Sequence, residues 1–132
     1  MTDSAFPQGR ALAAVLFTDI VASTALRTEL GEDAGDELRR AHDRLVGEAT
    51  RAHSGRVVKG LGDGAMAVFG GASEAVEAAV AVQQGAERLR RQEATPAPLQ
   101  LRIGVSVGEV ACENGDCFGT PVIEASRLCA SA

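Results

Sequence analysis

Apolar residues alternate with other residues most regularly near residue 100. Every second residue from 99 to 107 is Leu, Ile or Val, which is the spacing of a β-strand with one face in a core. A further strand is predicted over 108–112, after a bend at Gly108. The mostly apolar run from Ala11 to Phe17 has strand length and is typical of a central strand covered on both faces. Together these runs predict a sheet with a buried centre.

Apolar residues at helical spacing predict two long helices. The first runs from Glu32 to His53, and the second runs from a capping Ser73 to about Arg91. Their predicted core faces are, respectively, Leu38, Ala41, Leu45, Val46 and Ala49, and Val76, Ala79, Val80, Gln83, Ala86 and Leu89.

Two other helices are predicted closer to the ends of the chain. Ser23 or Thr24 is a suitable N-cap for a helix that Gly31 ends. A last helix opens at Thr120, with Pro121 near its first position, where the missing N–H does no harm.

Glycine-rich segments predict two turns that complete the topology. A hairpin is expected around Lys59–Gly64, between strands at 56–59 and 65–69, and a second turn at Glu113–Asp116. The resulting order is βαββαβ, which predicts an α+β fold with a ferredoxin-like or palm-like antiparallel sheet and helices on one face. Residues 1–10 are expected to form a flexible arm and residues 11–132 one domain.

Composition and charge exclude several classes of protein. The chain has 132 residues, a hydrophobic content of 45% and a net charge of −5. A negative net charge without a basic stripe argues against nucleic-acid binding. Because no signal segment and no run of 18 apolar residues is present, we expect a cytoplasmic protein without a membrane span.

The cysteines and histidines show no ligand spacing. Cys112, Cys117 and Cys129 are expected to be small buried apolar residues rather than zinc ligands or disulfide partners. His42 and His53 lie in helical, charge-rich surroundings and are expected to be solvated. Neither histidine is a candidate catalytic base.

Two aspartates stand at predicted strand ends. Asp19 follows the first apolar run, and Asp63 lies in the Gly-Asp-Gly turn. Two carboxylates held on rigid strand ends suit a two-metal phosphoryl-transfer site, although Gly-Asp-Gly by itself is also an ordinary hairpin turn. Lys59, the only lysine in the chain, lies beside this turn and offers a compact ammonium that arginine cannot replace.

Three segments resemble the catalytic domain of class III adenylate/guanylate cyclases. They are LFTDIVAST at 16–24, VKGLGDGAMAVF at 58–69, and IGVSVGEV through GDCFGTPVIEASRL at 103–128. The resemblance implies two Mg²⁺ or Mn²⁺ ions held by Asp19, Asp63 and the carbonyl of Ile20. It also implies that the backbone amides of Val21, Ala22, Ser23 and Thr24 hold the triphosphate.

The resemblance also assigns the residues that read the base. Lys59 and Asp116 match the purine-reading positions, where a donor to N1 and an acceptor from the 6-amino group favour adenine over guanine. Asp116 is alternatively a plain turn residue.

Arg127 matches the arginine that stabilises the pentavalent phosphate, and it is alternatively a solvated helix residue. The chain departs from the family at Ile123, where the family has an asparagine that orients the ribose. The family domain also normally has further strands after the segment that ends here at Ala132.

The resemblance implies a head-to-tail homodimer in which each site takes metal ligands from one partner and base-reading and transition-state residues from the other. Two hypotheses follow. The first is an adenylate cyclase that converts ATP to cyclic AMP and pyrophosphate. The second is a weak or silent cyclase-like module that binds nucleotide or a partner in regulation, which Ile123 favours. A guanylate cyclase ranks third.

Overall fold

A computed structural model describes residues 8–132 of the chain. The elements, in chain order, are β1 (Gly9–Ile20), α1 (Ser23–Leu30), α2 (Glu32–Ala52), β2 (Arg56–Gly60), β3 (Gly64–Phe69), α3 (Ala72–Gln92), β4 (Leu101–Glu113), β5 (Asp116–Phe118) and α4 (Thr120–Ser131). β1 therefore begins at Gly9, two residues before the predicted start. Residues 1–7 of the predicted arm lie outside the described part.

The sheet has five strands in the order β2-β3-β1-β4-β5, and every neighbouring pair is antiparallel. β1 lies at the centre because its apolar residues can be covered on both faces, as the unbroken run predicts. β4 is one continuous strand of 13 residues, since Gly108 keeps its ladder position opposite Ala13. Gly108 therefore does not divide β4 into the two predicted strands, and the short strand β5 was not predicted.

Helices cover both faces of the sheet. On one face, α2 and α3 pack against the even-numbered apolar residues of β1, which include Leu16 and Ile20. On the other face, α4 packs through Ala125 against residues that include Val15. The predicted α+β class is confirmed, and the prediction of helices on one face holds for α2 and α3 but not for α4.

The core face of α3 differs from its prediction. The fully buried residues are Ala75, Ala78, Val82 and Ala86, whereas Val76 and Val80 are about half exposed, at 51% and 50%. The small alanines form a helical stripe that lets α3 approach the sheet, and the valines lie on the neighbouring stripe. The sequence of α3 contains both stripes, and the element that the helix packs against determines which of them is buried. The predicted core face of α2 is confirmed, with Leu45 partly buried.

His42 is fully buried, which corrects the expectation that it is solvated. Its Nε2 lies 2.6 Å from Oγ1 of the buried Thr18, and its Nδ1 lies 2.8 Å from Oδ1 of Asp43. Both ring nitrogens are satisfied, so the histidine can enter the interface between α2 and β1 without an unpaired polar group. His53 is partly exposed, and its Nδ1 lies 2.9 Å from the carbonyl oxygen of Ala49.

Cys112 and Cys117 form a disulfide, which corrects the expectation that they are unpaired. They face each other across the β4–β5 ladder. The sequence pattern did not predict this pairing because it did not predict β5. Both are buried, as predicted. Cys129 is a free, buried thiol whose pKa is raised by burial. In the part of the chain that the structure describes, no helix is long and apolar enough to cross a bilayer.

Candidate active site

Asp19 and Asp63 lie at adjacent strand ends. In the β1–β3 ladder Asp19 is opposite Gly64, the residue that follows Asp63, and the amide of Ile20 donates to the carbonyl of Asp63 at 2.8 Å. Gly64 is required at this point because a Cβ there would collide with the carbonyl oxygen of Thr18. The backbone thus brings two carboxylates from distant parts of the sequence to the same end of the central β1–β3 strand pair.

Each of the two carboxylates has a partner. The hydroxyl of Ser23, the first residue of α1, donates to Oδ2 of Asp63. Nη2 of Arg102 lies 2.5 Å from Oδ2 of Asp19, and both side chains are about two-thirds buried. Arg102 therefore compensates the charge of Asp19.

Sequence reasoning missed Arg102. It is the ladder partner of Asp19, so the antiparallel register of β1 and β4 was the signal that could have found it.

The segment between β1 and α1 changes direction sharply. Ala22 is the N-cap of α1 with φ 58°, in the left-handed region, and no side chain caps the helix. The predicted caps are therefore wrong, because Ser23 turns its hydroxyl to Asp63 instead. The amide of Val21 donates to the carbonyl of Gln100 at 2.8 Å, whereas those of Ala22, Ser23 and Thr24 lie at the helix start, where N–H groups favour an anion.

Lys59 and Asp116 meet although they belong to opposite edge strands. Nζ of Lys59 lies 3.2 Å from Oδ2 of Asp116, and both side chains are partly exposed. The amide of Cys117 donates to the other oxygen of Asp116, and this bond, with Lys59 second, lowers the pKa of the carboxyl. Asp116 consequently remains an ionised acceptor at neutral pH.

The approach of the two edges follows from the packing of the β4–β5 hairpin. Val110, Cys112 and Cys117 pack in one cluster with Met66 of β3 and Val58 of β2. The hairpin therefore curls over the face of the sheet that carries α4. A register shift in β2 between Val57 and Lys59 is the kind of bulge that re-aims a side chain.

α4 carries Ile123 and Arg127 on its exposed side. Ile123 is 54% exposed, and Arg127 is also exposed. The opposite side of α4 lies directly on β4, where a Cβ at Gly104 would collide with the backbone of Ala125 and Cys129. Ser106 of β4 also donates to Oε1 of Glu124 at 2.6 Å. The helix is thus held firmly while Ile123 and Arg127 stay accessible.

The carboxylate oxygens at the strand ends are suitable ligands for a divalent cation of the Mg²⁺ type. Mg²⁺ is commonly bound by one or two carboxylates together with phosphate oxygens and waters, rather than by a full protein cage. Among residues 8–132 no cluster of three or more His, Cys, Asp or Glu side chains is placed to hold a metal ion. Two aspartates therefore agree with a site that a bound triphosphate completes.

Comparison with known proteins identifies the family of this chain. Residues 7–132 match the family described as the adenylate and guanylate cyclase catalytic domain. The chain belongs to this family, since the match spans nearly all of it.

The chain is 36% identical over 115 residues to the adenylate cyclase of Streptomyces coelicolor, covering 87% of the chain and 29% of that protein. It is 34% identical over 119 residues to putative adenylate cyclase 3 of Rhizobium meliloti, covering 90% of the chain and 20% of that protein. The chain thus spans less than a third of the length of these curated relatives.

A solved structure of an adenylate/guanylate cyclase/hydrolase from Silicibacter pomeroyi superposes with a TM-score of 0.80 at 33% identity, covering 93% of this chain and 72% of that one. The predicted class III cyclase fold is confirmed.

Proposed function

We propose that this domain converts ATP to 3′,5′-cyclic AMP and pyrophosphate at a site shared by two copies of the chain. The observation that carries the proposal is that Asp19 and Asp63 lie together at one end of the central β1–β3 strand pair. Lys59 and Asp116 form a second polar pair. One pair suits the triphosphate with its cations, and the other suits adenine.

In this proposal Asp19, Asp63 and the carbonyl of Ile20 hold two Mg²⁺ or Mn²⁺ ions. Bound ions of this kind supply Lewis-acid activation of the ribose 3′-hydroxyl and neutralise charge on the phosphates. The Ser23 hydroxyl fixes one oxygen of Asp63, and Arg102 fixes one oxygen of Asp19, so each carboxylate keeps its second oxygen in a set direction.

The remaining residues bind and orient the nucleotide. The amides of Ala22, Ser23 and Thr24 donate to the phosphates at the start of α1. Lys59 of the partner copy donates to adenine N1, and Asp116 of the same partner copy accepts from the 6-amino group. Arg127, from the partner copy, donates to the equatorial oxygens of the reacting phosphate.

The deciding experiment measures cyclic AMP formed from ATP with Mn²⁺. We expect weak but measurable turnover that is lost in Asp63→Asn, which keeps the shape of the side chain and removes its charge. Glu48→Gln, on the exposed side of α2, is the matched control and should leave turnover unchanged. A wild-type chain that forms no cyclic AMP overturns the catalytic part of the proposal.

A second candidate function is a nucleotide-binding module with little or no catalysis. The observation that favours it is Ile123, an exposed apolar residue on α4 at the position where the family resemblance implies an asparagine. An isoleucine side chain cannot hydrogen-bond a ribose. ATP binding by calorimetry, together with undetectable cyclic AMP, would select this candidate.

A further inference from the structure

Two arginine–carboxylate pairs tie β1 to β4, one near each end of their ladder. At one end Arg10 of β1 lies 3.2 Å from Glu109 of β4, and both side chains are mostly exposed. At the other end the charges are exchanged between the strands, since Asp19 of β1 accepts from Arg102 of β4 at 2.5 Å. This second pair is about two-thirds buried, and it includes one of the two carboxylates of the candidate site.

Arg102 is also held by the end of α4. Its Nη1 lies 3.3 Å from the carbonyl oxygen of Ala130, in the last turn of the helix, where unpaired carbonyls favour a cation. Sγ of Cys129 donates to the backbone carbonyl of Arg102 at 3.4 Å. Because these contacts do not involve Asp19, the positive charge of Arg102 stays at the site when Asp19 takes a further partner.

The two carboxylates differ in the charge of their partners. Asp63 accepts from the neutral hydroxyl of Ser23, whereas Asp19 accepts from the cationic Arg102. With Arg102 included, the two carboxylates have the net charge of a single carboxylate. Since the affinity of an oxygen site for a divalent cation depends on the charge of its ligands, Arg102 lowers the attraction for a bare cation.

We propose that Arg102 is a positioning residue that makes the binding of a divalent cation at Asp19 and Asp63 depend on the triphosphate. The proposal rests on the proposed function. A bare cation is repelled by Arg102 and binds weakly, whereas a cation that arrives with a triphosphate belongs to an anionic complex that Arg102 attracts. The cation and the triphosphate therefore stabilise each other's binding, and this coupling is reciprocal.

The test measures two dissociation constants of the full chain. One is that for Mn²⁺ alone, followed by the electron paramagnetic resonance signal of the free ion. The other is that for the complex of Mn²⁺ with α,β-methylene-ATP, followed by calorimetry. This analogue cannot be cyclised, because a carbon replaces the oxygen between its α- and β-phosphates.

Arg102→Gln is expected to move the two constants in opposite directions. Binding of Mn²⁺ alone should become roughly 10-fold tighter, which is the order of one charge interaction near a protein surface, and binding of the anionic complex should become weaker. Arg102→Lys keeps the charge and should restore both constants toward the wild type. Arg10→Gln is the matched control, because it removes an arginine from the other β1–β4 pair and should leave both constants unchanged.

The opposite signs separate this role from a structural one. Weaker binding of both ligands in Arg102→Gln would mean that Arg102 only orients Asp19, and unchanged constants would mean that it only stabilises the fold. Either result overturns the proposal, and so does a wild type that binds Mn²⁺ alone as tightly as the complex.

A second pair of variants covers the case in which Arg102→Gln does not fold. Asp19→Asn combined with Arg102→Gln removes both partners and leaves no unpaired charge between them. This double variant must bind Mn²⁺ alone more tightly than Asp19→Asn, in which Arg102 still repels the cation, or the proposal fails.

The role of Arg102 and the proposed function can fail separately. A chain that forms no cyclic AMP but shows the opposite shifts in Arg102→Gln retains the role of Arg102 and refutes the catalytic function. A chain that forms cyclic AMP, with both constants unchanged in Arg102→Gln, retains the function and refutes the role of Arg102.

Discussion

At the scale of single residues, base selection depends on the direction of two hydrogen bonds. Lys59 is a donor and Asp116 an acceptor, and they hold each other at 3.2 Å in the protein without nucleotide. We expect Lys59→Glu combined with Asp116→Ser to erode the preference for ATP over GTP, because guanine presents an acceptor at O6 and a donor at N1. Leaving a donor opposite a donor is costly in a desolvated site.

Competition binding with ATP and GTP analogues measures this preference without requiring turnover. Glu48→Gln, on the exposed side of α2, is a suitable control and should keep the wild-type ratio. An unchanged ratio in the double variant would show that other groups select the purine.

Ile123 sets the expected turnover. An isoleucine cannot donate to the ribose ring oxygen, and loss of one such bond in the transition state commonly lowers the rate on the order of 10²–10³. We expect Ile123→Asn to raise kcat by up to a factor on the order of 10²–10³. ATP affinity should stay nearly constant, since the bond acts mainly in the transition state. Because residue 123 is 54% exposed, the change should scarcely affect folding.

Parallel measurement of kcat and of ATP affinity checks the Ile123 prediction. Val122→Asn, at the preceding position of α4, is the comparison variant and should not raise kcat. A fast wild-type enzyme would mean that another residue orients the ribose.

Some residues of the site could be predicted from the sequence, and others could not. Asp19 and Asp63 are recognisable because strand ends and a glycine turn mark them locally. Arg102 and His42 are not, since each acts through a partner that only the register or the helix packing supplies: Asp19 for Arg102 and Thr18 for His42. Local patterns therefore reveal the carboxylates but not the groups that hold them.

At the scale of elements, periodicity predicted the order of the main strands and helices, and it was less successful for their faces. α3 offers two adjacent apolar stripes, and the alanine stripe is buried because it permits close approach to the sheet. The short strand β5 has only three residues, too few for an alternating pattern to be detected. Its existence depends on pairing with β4, which no local signal encodes.

The β4–β5 hairpin gives a prediction about stability. The disulfide closes a short loop, with a sequence separation of five residues, for which the chain-entropy account gives about 2 kcal/mol. We expect reduction, or the pair Cys112→Ala and Cys117→Ala, to lower the free energy of unfolding by about that amount. Urea unfolding with and without a reductant measures it.

Cys129 does not affect the comparison of unfolding with and without reductant, because it is a free thiol under both conditions. The alanine pair should be insensitive to reductant. If reduction leaves the unfolding midpoint of the wild type unchanged, the disulfide contributes nothing to the stability of this hairpin.

At the scale of the whole molecule, curvature of the sheet determines which residues can act together. The β4–β5 hairpin curls across the face that carries α4, so Asp116 reaches Lys59 although β2 and β5 are opposite edges in the strand order. The two carboxylates are instead grouped at one end of the central β1–β3 strand pair. One chain thus presents two separate polar pairs, an arrangement in which a two-fold dimer can supply each pair to a different site.

Subunit mixing tests this arrangement. Asp19→Asn removes a metal ligand and Arg127→Ala removes the proposed transition-state donor, so each homodimer should be nearly inactive. If the two residues act in one site from different copies, a mixed dimer has one intact site and one doubly defective site. With random pairing of equal amounts, half the dimers are mixed, and we expect about one quarter of wild-type activity per dimer.

The control for subunit mixing is a mixture of Asp19→Asn with Asp63→Asn. In the proposal each site takes both of these metal ligands from the same chain. A mixed dimer of this kind has a defect in both sites, so its activity should remain at the level of the separate variants. Recovery in this control would mean that Asp19 and Asp63 come from different copies. No recovery in the first mixture, when the dimers are shown to exchange, would mean that Asp19 and Arg127 act in a site of the same chain. The domain would then have to complete its catalytic site within one copy.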